Sequence, residues 1–327
     1  MNFDLRDKSD EATKSELPAL EQLVKMGYHY LNQGDLNKIR RDLREVLLYD
    51  RIESAIRNLN LELDEDGDRD ALHQIEEQYF PYTLDHLDTN EKIRAKLVGL
   101  SKSGGLEPVT VVQNFGDGPE DVTVRLFDFD KPENNDFLVT NQFELQGFKE
   151  AVYPDIVIFV NGIPLVVIEC KSPYIADSIS AAVDGNFEKY QSPGMGYDRL
   201  FFYNHILIAT CGTIARHGTI GSRVNHYARW SEAYPLTNDE IKKKYGDARE
   251  QEILFAGMLD KARLLDLLKN FVTYEVISNR KVKKIAKHQQ FRVVTKAVNR
   301  LNLKANIADK GGVIWHTQGS GKSLSML

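Results

Sequence analysis

Three charged residues, Asp155, Glu169 and Lys171, interrupt the otherwise apolar stretch YPDIVIFVNGIPLVVIECKSP. A charge inside an apolar strand is costly unless it is paired or has a task. Two carboxylates and a lysine suit phosphodiester hydrolysis, in which an anionic nucleophile attacks an anionic backbone. Carboxylates can hold Mg²⁺, which screens that repulsion, activates water and stabilises the leaving oxygen. A lysine beside the metal orients or helps deprotonate the water and stabilises charge in the pentavalent state. The plainer reading is a buried Glu169–Lys171 ion pair with Asp155 at a strand-end turn, because D…ExK arises by chance in many proteins.

The strands that carry these residues decide between the two. Asn161-Gly162 between two apolar runs signals a tight hairpin. Alternation along the second strand puts Glu169 and Lys171 on one face and Cys170 on the other. A strict two-residue turn would pair Asp155 with Ile168 and leave the two carboxylates on opposite faces. A three-residue loop or a bulge would pair Asp155 with Glu169. Pro164, which has no N–H to donate, makes an irregular start to the second strand plausible.

A second set of residues lies in GGVIWHTQGSGKSLSML. Val313-Ile314-Trp315 reads as a short buried strand, Thr317-Gln318-Gly319-Ser320-Gly321 as a loop, and Lys322-Ser323 as the first turn of a helix. This follows the Walker A phosphate loop except that His316 stands in place of the first glycine. Backbone N–H groups of Thr317, Gly319, Ser320 and Gly321 would cradle phosphates. Lys322 would pair with the β- and γ-phosphates, and Ser323 would hold Mg²⁺. A flexible Gly-Ser-Gly linker is the competing reading, weakened by the strand directly upstream.

PD followed by ExK on adjacent strands resembles the PD-(D/E)xK nuclease superfamily. The wider text, RLFDFDKPENNDFLVTNQFEL and then YPDIVIFVNGIPLVVIECKSP, resembles the restriction (motor and endonuclease) subunit of type I restriction–modification enzymes over about residues 105–230. The resemblance implies that Asp155 and Glu169 are metal ligands and Lys171 is the catalytic lysine. It also implies a supporting acid on the first helix, for which Glu21 and Glu16 are the candidates. Related nucleases often carry Gln-x-x-x-Tyr on the next helix. Here GNFEKY puts Asn186 in the glutamine's place and keeps Tyr190, so a shorter amide would serve near the carboxylates or the DNA. The basic, helical-looking stretch 281–301 resembles the segment before the phosphate loop of superfamily 2 helicases, where a glutamine reads adenine. Gln289 takes that role, with Gln290 as the alternative.

The implied fold is α/β: a restriction-endonuclease-like core with a mixed central sheet flanked by helices, followed by the first elements of a RecA-like helicase domain. The implied boundaries are 1–235 for the endonuclease, 236–280 for a helical connector and 281–327 for the start of the motor. The implied activity is Mg²⁺-dependent, non-specific cleavage of double-stranded DNA away from the recognition site. ATP-driven translocation would bring the DNA, and modification and specificity subunits would be the partners. A RecB-like repair nuclease–helicase and a non-catalytic DNA-binding scaffold are the alternatives. The phosphate loop stands so near the last residue that this stretch alone is expected not to hydrolyse ATP, with its final residues partly disordered.

Composition agrees with a large core: 42% of the 327 residues are apolar and 28% are charged. A net charge of −6 argues against a partner of nucleic acid that works by bulk positive charge, as histones do. The balance is uneven, with 14 basic against 22 acidic residues over 1–100, 10 against 18 over 101–239, and 15 against 7 over 240–300. Two cysteines, Cys170 and Cys211, exclude a disulfide framework and a cysteine zinc site. No apolar run approaches the ~18 residues of a membrane span, and the acidic, polar start is no secretory signal. A cytoplasmic, reducing setting is expected. Apolar periodicity predicts helices over 16–31, 38–59, 176–191 and most of 238–277. Short β-branched runs from about 107 predict a hairpin continuing into one sheet, and 205–211 predicts another buried strand.

Overall fold

The computed structural model describes residues 3–61, 63, 67–79, 85–100, 105–114, 118–303, 306–315, 321 and 325. A π-helical turn, Ala12–Glu16, runs into helix α1, Leu17–Lys25, whose Leu20 and Leu23 are buried. Strand β1, His29–Tyr30, and helices α2, Gln33–Ile39, α3, Tyr49–Leu59, α4, Gly67–Tyr79, and α5, His86–Val98, follow. Then come β2, Val109–Asn114, β3, Pro119–Val124, β4, Phe137–Asn141, β5, Leu145–Gln146, β6, Ala151–Val152, β7, Ile156–Val160, and β8, Ile163–Cys170. A helical segment joins α6, Ser178–Ser180, through a π turn, Ala181–Phe187, to α7, Glu188–Tyr190. After α8, Leu200–Tyr203, strands β9, Ile206–Thr210, and β10, Ala215–Gly218, complete the sheet. Helices α9, Asn238–Tyr245, α10, Glu250–Met258, and α11, Lys261–Asn270, lead to a hairpin of β11, Val272–Ile277, and β12, Arg280–Ile285. Helices α12, His288–Leu303, and α13, Ile307–Lys310, come last.

The central sheet has six strands in the order β1-β4-β7-β8-β9-β10. β1 with β4 and β8 with β9 are parallel and the other neighbours antiparallel, so the expected mixed sheet with flanking helices is present. Strands β4, β7, β8 and β9 are buried at every position. That explains why their sequences are nearly continuous apolar runs instead of alternating ones. Among the described residues no helix is long and apolar enough to cross a membrane.

The β7–β8 hairpin turns tightly and is bulged. Val160 pairs with Ile163 around Asn161 and Gly162, whose φ values of 49° and 81° fit a two-residue mirror-image turn. A side chain at Gly162 would meet the Leu48 carbonyl at 2.5 Å. Phe159 pairs with Pro164, but Ile158 pairs with Val166, so Leu165 is the extra residue of a bulge. Beyond it the register runs Val157 with Val167 and Ile156 with Ile168, which sets Asp155 opposite Glu169.

Several elements differ from the sequence reading. The helix expected over 38–59 is broken into α2 and α3. Between them Arg40 turns inward, stacks on Phe143 at 4.4 Å and donates to the carbonyls of Leu43, Glu45 and Glu144. Among the described residues β2 and β3 pair only with each other and stand outside the central sheet. The helical reading of 238–277 ends early, because 272–277 and 280–285 form the β11–β12 hairpin around Ser278 and Asn279, both at positive φ. Val313–Trp315 is exposed, not a buried strand; Val313 and Trp315 are each 90% exposed and pair with no strand among the described residues. Helices α10 and α11 share the main core with the sheet through Leu254, Phe255, Met258, Leu264, Leu265 and Leu268.

The β11–β12 hairpin is fastened to that core by a buried lysine. Lys283 Nζ lies 2.7 Å from Asn90 Oδ1, 3.2 Å from the Asn204 carbonyl and 2.7 Å from His205 Nδ1. Burial, with the Arg94 charge adding to it, pushes this amine well below its ordinary range. His205 is likewise pushed down by burial, and accepts at Nδ1 as a neutral ring.

Candidate active site

Asp155 and Glu169 converge because the bulge at Leu165 reverses the alternation of β8 relative to β7. Asp155 Oδ2 accepts from the Cys170 backbone N–H at 2.7 Å, and its Oδ1 accepts from Gln142 Nε2 at 3.1 Å. Glu169 is fully buried, and the Asp155 charge acts on it directly. Lys171 Nζ donates to the Cys170 carbonyl at 2.9 Å and stands 3.5 Å from Glu169 Oε2. On its other side Glu11 Oε1 is 3.7 Å away. A cleft of about 370 Å³ opens beside Asp155, lined by Glu11, Glu16, Gln142, Asp155, Asn186 and Tyr190 among others, with Glu169 and Lys171 behind its wall.

The first helix supplies Glu16, not Glu21. Glu21 lies on the exposed side of α1. Glu16, in the π turn, is 2% exposed, and both of its oxygens accept hydrogen bonds, from Asn141 Nδ2 at 2.7 Å and Gln142 Nε2 at 3.1 Å. The five-residue separation of the two glutamates places them on different faces of the helix. Asn186 and Tyr190 do reach the site from the π turn and α7. Asn186 Nδ2 donates to Glu169 Oε2 at 2.5 Å and lies 3.4 Å from the Tyr190 hydroxyl. π-Helical turns on both sides of one site fit the tendency of such turns to occur where function sets the geometry.

Crowded acids raise one another. Burial lifts Glu169 well above the usual carboxylate range, and the Asp155 charge adds to the effect. Burial also lifts Asp155, against the pull of Lys171, and Glu16 is raised by burial to about 7. Burial pulls Lys171 down, but Glu169, Asp155 and Glu11 together outweigh it and hold the amine above its ordinary value. The donor set is all oxygen, which suits a hard divalent cation. Glu169 Oε1 is buried and accepts no hydrogen bond among the described residues, so one oxygen of the pair is open to such an ion. Among the described residues no group of three or more His, Cys, Asp or Glu side chains is gathered so as to hold a metal ion. A cation here would therefore be held by part of its shell, as Mg²⁺ commonly is, keeping several waters.

At the phosphate loop Thr317, Gly319, Ser320, Lys322 and Ser323 lie outside the described residues. Gly321 is described, and its carbonyl accepts from Gln290 Nε2 at 3.0 Å. Gln290 Oε1 accepts from the Lys287 backbone N–H at 2.8 Å, so both ends of that amide are engaged. Gln289 Oε1 is buried with no partner among the described residues. Sequence reasoning missed Glu11, Asn141 and Gln142 as site residues. Asn141 and Gln142 lie one strand away from Asp155, a matter of sheet order that spacing does not reveal.

Residues 8–226 match the family described as the N terminus of the type I restriction enzyme R protein, and residues 289–327 match the SWI2/SNF2 ATPase family. The chain is 31% identical over 320 residues to the type I restriction enzyme HindI endonuclease subunit of Haemophilus influenzae, covering 94% of this chain and 28% of that protein. It is 28% identical over 345 residues to the putative type I restriction enzyme MjaIXP endonuclease subunit of Methanocaldococcus jannaschii, covering 98% of this chain and 31% of that protein. The chain thus spans less than a third of the length of these curated relatives. With the matched region enclosing the whole of the bulged hairpin and its acids, the chain belongs to the family of type I restriction enzyme R proteins, whose N-terminal region it carries.

Proposed function

We propose that Asp155, Glu169 and Lys171 form the Mg²⁺-dependent nuclease site of a type I restriction subunit that cleaves double-stranded DNA without sequence preference, away from the recognition site. The observation that carries this reading is the convergence of two buried carboxylates and one ammonium on a single bulged hairpin. Asp155 and Glu169 would hold the ion, with Glu16 as the supporting acid behind Gln142. When bound, Mg²⁺ would screen the phosphate charge and activate a water. Lys171, kept as an ammonium by the carboxylates around it, would donate to the phosphate and offset its developing charge. Asn186 fixes Glu169 by donating to one oxygen, and leaves the other for the ion. Target specificity would be supplied by separate modification and specificity subunits, since phosphate contacts position DNA without reading its sequence.

The match to SWI2/SNF2 ATPases supports an ATP-driven motor in the longer protein. There Lys322 would pair with the ATP phosphates, Ser323 would hold Mg²⁺, and Thr317, Gly319, Ser320 and Gly321 would line the phosphate loop. Gln289, with an acceptor still free, would read adenine, whereas Gln290 would brace the loop through Gly321. The test is plasmid cleavage and ATP turnover by the complete complex with Mg²⁺ and ATP. Glu169→Ala is expected to keep ATPase activity and lose cleavage, and Lys322→Ala to lose both. Cleavage that survives in Glu169→Ala overturns the site.

A further inference from the structure

Asn141 and Gln142 are consecutive, yet their side chains meet on one carboxylate. Residues in sequence along a strand point to opposite faces. Here Asn141 closes β4, and Gln142 turns to a φ of 51°, a left-handed conformation that costs a non-glycine residue about 1 kcal/mol. The turn brings both amides onto Glu16. Asn141 is itself fixed, accepting from the Tyr30 hydroxyl at 2.8 Å and donating to the Asp4 carbonyl at 2.9 Å. Gln142 has its backbone N–H tied to the Asp155 carbonyl at 2.8 Å, and its side-chain nitrogen lies 3.1 Å from both Glu16 Oε2 and Asp155 Oδ1. A backbone held in a sparsely populated region beside a reactive cluster is a common mark of a functional constraint.

We propose that Gln142 is the positioning residue of the cation site, its side-chain amide donating to Glu16 and Asp155 at once and so setting the spacing of the two carboxylates. The proposal rests on the nuclease reading of Asp155 and Glu169. An amide suits the task because its NH₂ has two donors and no charge. A lysine or arginine there would occupy the cation's place with its own positive charge. An acid would add a further negative charge to a cluster that already has Glu11, Glu16, Asp155 and Glu169. Gln142 holds two like charges apart and neutralises neither, which leaves their charge for the ion. It touches no reacting atom, so its effect falls on cation affinity first.

The test is Mn²⁺ binding to the 327-residue chain, followed by calorimetry and by the loss of the free-ion paramagnetic resonance signal. Glycine accepts a positive φ more readily than glutamine, so Gln142→Gly removes the amide while easing the backbone. Gln142→Gly is expected to keep the wild-type thermal midpoint within a few degrees and to bind Mn²⁺ at least tenfold more weakly. Wild-type affinity in that variant overturns the positioning role and leaves the nuclease reading standing. If Glu169→Ala binds Mn²⁺ as tightly as wild type, or wild type binds none, the nuclease reading falls and the positioning role with it. Should Gln142→Gly fail to fold, Gln142→Asn tolerates the left-handed backbone and keeps an amide too short to reach both acids. A severalfold loss of Mn²⁺ affinity then supports the proposal, and unchanged affinity overturns it.

Discussion

Glu16 illustrates how a buried acid couples the site to pH. Its carboxyl titrates at 4.5 in the unfolded chain and at about 7 in the folded one, so the folded protein holds the extra proton between those values. The stability this contributes is fully present below 4.5 and is lost as pH rises through about 7. The change is on the order of 3 kcal/mol. Glu16→Gln is expected to flatten that fall, measured as the urea midpoint across the window with divalent cations chelated. Asp155 and Glu169 are raised in the same direction and account for the slope that survives in the variant. An undiminished slope would remove Glu16 from this role. Asp155, Glu169 and Lys171 were legible in the sequence because charges stand out in apolar strands. Glu16 could be separated from Glu21 only by the helix face turned to the sheet, and a π turn obscures that face because it breaks the 3.6-residue period.

At the scale of elements, the β7–β8 hairpin was legible from Asn161-Gly162, and the sequence left two registers open. The structure combines the tight turn of one with the carboxylate pairing of the other, through the extra residue Leu165. A bulge is a packing outcome with no local sequence signal beyond the missing N–H of Pro164. The turn depends on Gly162, where φ is 81° and an added Cβ would press on the Leu48 carbonyl. Gly162→Ala is expected to lower stability by about 2–4 kcal/mol, read from chemical denaturation. A loss under 1 kcal/mol would show that the turn and the α3 entry can shift to make room. The break between α2 and α3 was illegible because its cause is the reach of Arg40 to the Glu144 carbonyl, more than a hundred residues away.

For the whole molecule, the mixed sheet followed from the apolar runs, and the extent of its core did not. The helical pattern of 236–280 reads as a connector between two domains. In the structure α10 and α11 are core walls: the Tyr28 hydroxyl donates to the Leu259 carbonyl, Gln22 to that of Glu252, and Arg94 to those of Leu268 and Lys269. Seven of their large apolar side chains lie in the main core, each contributing roughly 2 kcal/mol by burial, and net domain stability is only about 5–15 kcal/mol. A chain ending at residue 235 is therefore expected to bind hydrophobic dyes and lack near-ultraviolet dichroism, and one ending at 303 to fold. A folded 1–235 chain would refute this.

The fastening of β12 bears on how motion passes through the protein. Its last residue, Ile285, and the first of α12, His288, are separated by two residues, which allow a displacement on the order of 10 Å at most. Phe291 is wedged near Trp230 and Phe271, and Arg292 pairs with Glu232, so even that play is largely taken up. The short link joins α12, nearly all of it within the ATPase-matched residues, to the Lys283 cage, and through His205 to the head of β9. β9 lies alongside β8, with Ala209 in register with Glu169. The joint thus ties α12 to the strand that lies beside the one carrying Glu169.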